Sequence, residues 1–334
     1  MMEHMNGEQA DGRAYPGGVP AASTPPRRRN SVRRTTTHDS MRPEGFSGPV
    51  VLVSNGRDLI TAAGGEATVL DAVRLDVMVN YLKGSIAAIA ATPSHPRLAE
   101  LVGVRAFSGF RSAVEDALPA EAQSHSVRFQ LLDELPAAVL ASGRAMRAAG
   151  IPIDMRGAAL PVDVCAGWAN GGTLLTGMTK FGPPLHLGPR APALETDDDV
   201  LAWHAIAPLP AHATRRCRRL DLWKEDDRVW IDSFFRDSHV DADGVETVVH
   251  EWHIQAELDP ATRRFVSAAA QMGPLPYPEC PGAAASARRL VGMSCDGLRR
   301  AVRSSFVGTS TCTHLNDTLR SMEDAAALLD ALRA

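Results

Sequence analysis

Cys312 and His314 stand two residues apart in the run Cys312-Thr313-His314-Leu315, which opens a helical pattern near the C-terminal end. A thiol at a helix start meets partial positive charge, which lowers its pKa and favours a thiolate or a bound anion. Gly308 and the small residues Thr309, Ser310 and Thr311 just before it allow close backbone approach, so main-chain N–H groups could hold a carboxylate or a developing oxyanion. Farther upstream, side chains alternate faces along Val245 to Leu258, and His250 shares a face with Trp252, Ile254, Ala256 and Leu258. A desolvated imidazole there stays neutral near pH 7 and can act as base or ligand; hydrogen-bonded within the core, it would do neither.

Two chemistries could use these residues. In the first, His250 or His314 moves a proton, Asp237 orients it, and Cys312 sits at the helix end that stabilises developing negative charge. Trp252, Arg299 and Thr313 would then contact the substrate. In the second, Cys280, Cys312, His314 and His250 converge on a zinc ion, whose preferred ligands are thiolate and imidazole. The run His250-Glu251-Trp252-His253 is not a metalloprotease motif, because on a strand the two histidines face opposite ways. Gly172 to Lys180 lacks the Lys-Ser/Thr ending of a phosphate loop, and no Gly-rich dinucleotide fingerprint occurs. No nucleotide cofactor is expected.

The elements that must position these residues can be read from periodicity. In the second half, strands are expected over Val229 to Arg236, Val245 to Leu258 and Arg264 to Met272, with turns at Asp241 to Gly244 and at Asp259-Pro260. Pro274, Pro276, Pro278 and Pro281 stop the sheet. Leu315, Leu319, Met322, Ala326 and Leu329 then form one stripe of a terminal helix, which Thr311 or Thr313 could cap. In the first half a meander begins near Arg33 and runs through Val50 to Val53, Ala72 to Leu82 and Ser85 to Ala91. Helical patterns follow over Arg97 to Val102, Phe110 to Leu118, and Leu131 to Val139.

The halves also resemble each other. Leu101-Val102-Gly103 precedes Gly109-Phe110-Arg111, as Leu290-Val291-Gly292 precedes Gly297-Leu298-Arg299, and Arg57-Asp58 corresponds to Arg236-Asp237. The expected fold class is therefore α+β, with two repeated units, each an antiparallel β-meander followed by helices. The equivalence of Arg111 and Arg299 suggests an ion pair or a helix surface for both. Cys312 and His314 have no counterpart beside Leu131-Leu132-Asp133, which points to one active half and one degenerate half. The expected organisation is a disordered basic tail over 1–31, a first unit over 32–149, a Gly/Pro-rich connector over 150–214 and a second unit over 215–334. Trp203-His204 is the expected anchor of the connector, and Arg27 to Arg29 could meet an acidic partner.

Composition narrows the class. The chain has 334 residues, 45% hydrophobic and 22% charged, with a formal net charge of -4. That is ordinary for a soluble globular protein and argues against nucleic acid as main partner. No apolar stretch reaches the roughly 20 residues of a membrane span, and the N-terminus lacks the apolar region of a signal peptide. The five cysteines are an odd number and do not read as a disulfide framework. Cytoplasmic residence with reduced thiols is expected; a homo-oligomer is compatible with the sequence.

Arg34 with His38 and Arg42-Pro43, Arg57-Asp58-Leu59, Trp203-His204, Arg216 with Arg218-Arg219, Asp237, His250, the Pro276 to Cys280 turn, Leu290-Val291-Gly292 and Cys312-Thr313-His314-Leu315 together carry a resemblance. In these residues the chain resembles bacterial proteins carrying domain of unknown function 2889, from Arg33 to Met322. Members of that family usually have Gly where this chain has Thr311, and often Lys where it has His239. The resemblance implies a fold unit and a set of residues rather than a reaction; its association with aromatic-compound catabolism implies a small-molecule enzyme. The functional expectation is a lyase or hydrolase acting on an acidic or aromatic compound by general acid-base chemistry. Its rivals are a non-catalytic binding or scaffold protein and a Cys/His metal-binding protein.

Overall fold

The computed structural model describes residues 19–151, 160–181 and 185–333. Four long strands come first: β1 (Ser31–Met41), β2 (Val50–Thr61), β3 (Ala67–Asn80) and β4 (Ser85–Thr92). A 3-10 segment over Pro96–Leu101 follows, then α1 (Phe110–Ala117), α2 (Pro119–Gln123), α3 (Val127–Ala141) and α4 (Gly143–Ala148). The connector carries α5 (Thr173–Phe181). The second half gives β5 (Thr214–Glu225), β6 (Arg228–Val240), β7 (Glu246–Asp259) and β8 (Arg264–Met272). It closes with a 3-10 segment over Cys280–Leu290, α6 (Leu298–Ser305), α7 (Thr313–Ser321) and α8 (Ala325–Arg333).

All eight strands join one antiparallel sheet in the order β4-β3-β2-β1-β5-β6-β7-β8. This mixture of helices and an antiparallel sheet is an α+β fold. The first strand of each half lies at the centre, so the halves meet along the β1–β5 pairing, Thr36 opposite Arg218. Helices from both halves cover one sheet face. There α3 carries the core of Val50, Leu75, Phe110, Val127 and Leu135, while α7 and α8 bring Leu315 and Leu329 into the core of Trp252 and Ile254. Chain segments from the connector and from residues 19–30 cover the other face. That double covering explains why β1 is buried almost throughout despite having Arg, Thr, His and Asp in place of aliphatic residues.

Ion pairs supply what the central strands lack in apolar side chains. Arg34 grips Asp58 on its neighbour at 2.7 and 2.7 Å, and Arg216 grips Asp237 in the corresponding place at 2.9 and 2.7 Å. On the opposite face Arg33 reaches across the seam to Asp221, and Arg215 reaches back to Asp39. Gly103 and Gly292 both turn with positive φ (84° and 83°), and the backbone pairs of Ile86 with Val104 and of Phe265 with Met293 match. The order of elements and these contacts agree between the halves.

The basic tail ends earlier than expected. Residues 1–18 fall outside the described residues, whereas residues 19–30 pack on the body of the protein. Arg27 forms a paired ion bond with Asp199, Arg28 lies over the Trp223 ring at 4.2 Å, and the Ala22 N–H donates to Glu251. Of the basic run, Arg27 thus finds an acidic partner in the connector, at Asp199. Trp203 is buried edge-on against Phe234, and His204 bonds the hydroxyls of Thr35 and Thr37. The terminal stripe is also divided: a 3-10 turn over Met322–Asp324 separates α7 from α8, with Met322 and Asp324 both buried.

Candidate functional site

One row of side chains crosses the helix-covered face from the first half into the second. Cross-strand pairing sets Ser54, His38, Arg216, Asp237 and His250 side by side on β2, β1, β5, β6 and β7. The corresponding row on the other side of the seam is Ser233, Leu220, Arg34, Asp58 and Asp71. The Arg-Asp pair occurs in both rows, while the two histidines occur only in the first.

Above that row sits the start of α7. The helix begins after Cys312, whose side chain makes no capping bond, and Thr313 is exposed as its first residue. Neither threonine caps the helix: Thr311 is buried and donates to the Gly308 carbonyl. His314 points down to the sheet. Its ring stacks on His250 with centroids 3.7 Å apart, its Nε2 lies 3.6 Å from Asp237 Oδ2, and its Nδ1 lies 4.0 Å from Cys312 Sγ. If the Cys312 S–H, a weak donor, is given to Nδ1, the ring proton stands on Nε2, on the side of Asp237.

Burial decides the protonation states. His314 is pushed down to about 3, first by desolvation and then by the neighbouring Arg216 charge, with Asp317 opposing. His250 is held well below the ordinary imidazole range by burial and by His314, against the pull of Asp237. His38 falls to about 3 by burial and by Arg216 and Arg218. At neutral pH all three rings are uncharged. Glu134 from α3 pairs with Arg218, and its carboxyl is raised by desolvation against that arginine. Asp317 keeps its charge: burial raises it, but Arg216, Arg320 and Arg111 together outweigh burial. The cluster opens to solvent at its rim, where the side chains of His314, Asp317 and Arg111 are 27%, 23% and 24% exposed.

Several expected residues behave otherwise. Cys312 was expected to be a low-pKa thiol; instead it is 3% exposed, and burial pushes it up to about 11 against the N–H groups of Leu315 and His314. Desolvation wins because the thiolate would be surrounded by apolar neighbours. Trp252 is fully buried in the core and Arg299 is enclosed, so neither faces a substrate. Arg299 pairs with Asp324 at 2.7 Å and Asp133 at 3.4 Å and lies over the Phe129 ring. Arg111 shares Asp133, as their equivalence suggested. The Cys280 thiol, pushed up to about 12 by burial, belongs to the core. Among the described residues no three His, Cys, Asp or Glu side chains are arranged to hold a metal ion. Of the four expected ligands, Cys280 and Cys312 are buried thiols, and His250 and His314 are stacked on each other.

His38 entered only through the family resemblance, while Glu134 and Asp317 gave no signal on their own. The first half therefore supplies part of the site and is not merely its support. The two cavities described, of about 250 and 420 Å³, lie elsewhere, one beneath the connector beside Arg215 and Arg236 and one near Asn30 and Leu332.

Residues 214–328 match the model of a family described as protein of unknown function (DUF2889). That match covers β5 to α8 and includes Arg216, Asp237, His250, Cys312 and His314. No curated protein and no solved structure matches the chain at significance. No helix among the described residues is long and apolar enough to cross a membrane.

Proposed function

We propose that the protein is a small-molecule enzyme, a lyase or hydrolase that works on an acidic or aromatic compound by acid-base chemistry on the helix-covered face of its sheet. The observation that carries this is the stacked, neutral His250–His314 pair beside Asp237, open at its rim and without counterpart in the other row. His314 stands in the first turn of a helix with its Nε2–H free to shift from Asp237 to a substrate oxygen. A neutral imidazole so placed polarises a carbonyl without first releasing a proton. His250 has no hydrogen-bond partner at Nδ1 and can hold the proton that leaves the substrate. Asp237, fixed by two bonds from Arg216, favours the charged ring that forms. Cys312 acts as a neutral packing group that sets the His314 tautomer, not as a nucleophile.

The test is turnover by wild type and His314→Gln on a panel of small carboxylic, hydroxy and aromatic acids, esters and amides. Loss of a positioned acid or base costs about 10²–10⁴-fold in rate, and the rim position of His314 should leave the melting temperature unchanged. Equal turnover by the variant contradicts the reading. Absence of any turnover by wild type supports the binding or scaffold reading. That reading rests on the ion pair of Arg218 with Glu134, which joins the second half to the first and needs no substrate.

We also propose that the chain is an internal duplication of bacterial origin. The swapped pairs Arg33–Asp221 and Arg215–Asp39, related by the seam, support the duplication. Five free buried cysteines support residence in a reducing compartment, the cytoplasm.

A further inference from the structure

Near His250 lies a guanidinium that no carboxylate among the described residues balances. Arg144, in α4, is 8% exposed. Among the described residues it forms no ion pair. Its one hydrogen bond runs from Nη2 to the His186 carbonyl, and its Nε is buried with no partner. The other deeply buried arginines on this face, Arg34, Arg216, Arg218, Arg299 and Arg320, each pair with Asp or Glu. A buried cation without a counter-charge costs free energy, which an incoming anion would recover.

The same chain segment links Arg144 to the site. Past His186, Gly188 packs against the Val248 carbonyl, Pro189 accepts from the Val248 N–H at 2.9 Å, and Ala191 donates to Glu246. This segment runs along β7 up to the residues before His250, whose Nδ1 is also buried without a partner. The charge of Arg144 is felt at His250. A buried cation with an orphan Nε and a neutral ring with an orphan Nδ1 thus lie in one neighbourhood, and the stacked His314 ring reaches from it to the exposed rim.

We propose that Arg144, with His250, forms an anion subsite that takes the carboxylate of a small substrate. This deepens the acid-base reading and rests on it for the word substrate, but the binding claim can be tested alone. The carboxylate anchors on the guanidinium, which leaves the adjoining part of the molecule against the His314 Nε2–H.

Benzoate is the probe, titrated into the full chain by calorimetry while the imidazole signals of His250 and His314 are followed by NMR. Wild type should bind it and shift both rings, and Arg144→Gln should weaken binding by about 10- to 100-fold, the worth of a charge-assisted hydrogen bond. Arg144→Lys keeps the charge but not the planar fork, so it should fall between the two; it also serves if the glutamine variant does not fold. Benzoate that fails to bind wild type, or that binds both variants as it binds wild type, overturns the subsite. His314→Gln should still bind benzoate while losing turnover. An intact subsite with unaffected turnover would instead remove the acid-base reading alone.

Discussion

At the residue scale, the same environment acts oppositely on the two groups of the Cys-Thr-His run. Burial raises the Cys312 thiol and lowers the His314 ring, so both are neutral and no thiolate-imidazolium pair forms. The buried histidines make stability depend on pH. His38, His204 and His314 sit at about 3 and His239 at about 4, against about 6.5 in the unfolded chain. Below 6.5 the unfolded state takes up protons that the folded state refuses. Their contribution is therefore present above 6.5 and lost as pH falls toward 4 and 3. Urea midpoints should drop steadily from pH 7 to 4.5, before the carboxylates begin to titrate; a flat profile would show that these rings are not held neutral. Sequence made His250, His314 and Asp237 visible because a strand parity and a helix start can be read locally. It could not weigh burial against the helix end at Cys312, since the neighbours that bury that thiol come from elsewhere in the chain.

At the scale of elements, the strands were legible where apolar and polar residues alternate, as in β8, whose bounds match the expectation from Arg264 to Met272. β1 was legible only as a start point. Both its faces are buried and polar, so it has no alternation to read, and His38 stayed hidden there. In the connector, Gly188 touches β7 closely. A Cβ at that position would lie 1.9 Å from the Val248 carbonyl oxygen, closer than atoms can come. Gly188→Ala should therefore lift the segment around 185–191 from β7, lower the melting temperature and open a protease site there, with the far edge at β4 unchanged. Hydrogen exchange would show this; equal protection of Val248 in variant and wild type would contradict it.

At the scale of the whole molecule, the halves complete each other. Asp133 and Glu134 of α3 neutralise Arg299, Arg320 and Arg218 of the second half, and Asp324 returns the favour to Arg34. Removing one partner of such a buried pair costs about 3–5 kcal/mol, so residues 214–334 alone, deprived of several, should not fold. A dispersed amide spectrum from that fragment would show an autonomous unit instead. These pairs could not be read from sequence, because they join residues far apart in the chain whose own surroundings look like ordinary helix surface. The most direct measurement of the central claim is an NMR pH titration of the His250 and His314 rings in the intact protein. A preorganised neutral pair requires both rings to stay unprotonated from pH 8 down to at least pH 5, with His314 protonated at the Nε2 that faces Asp237. Either ring titrating near 6.5, as a free imidazole does, would contradict the account.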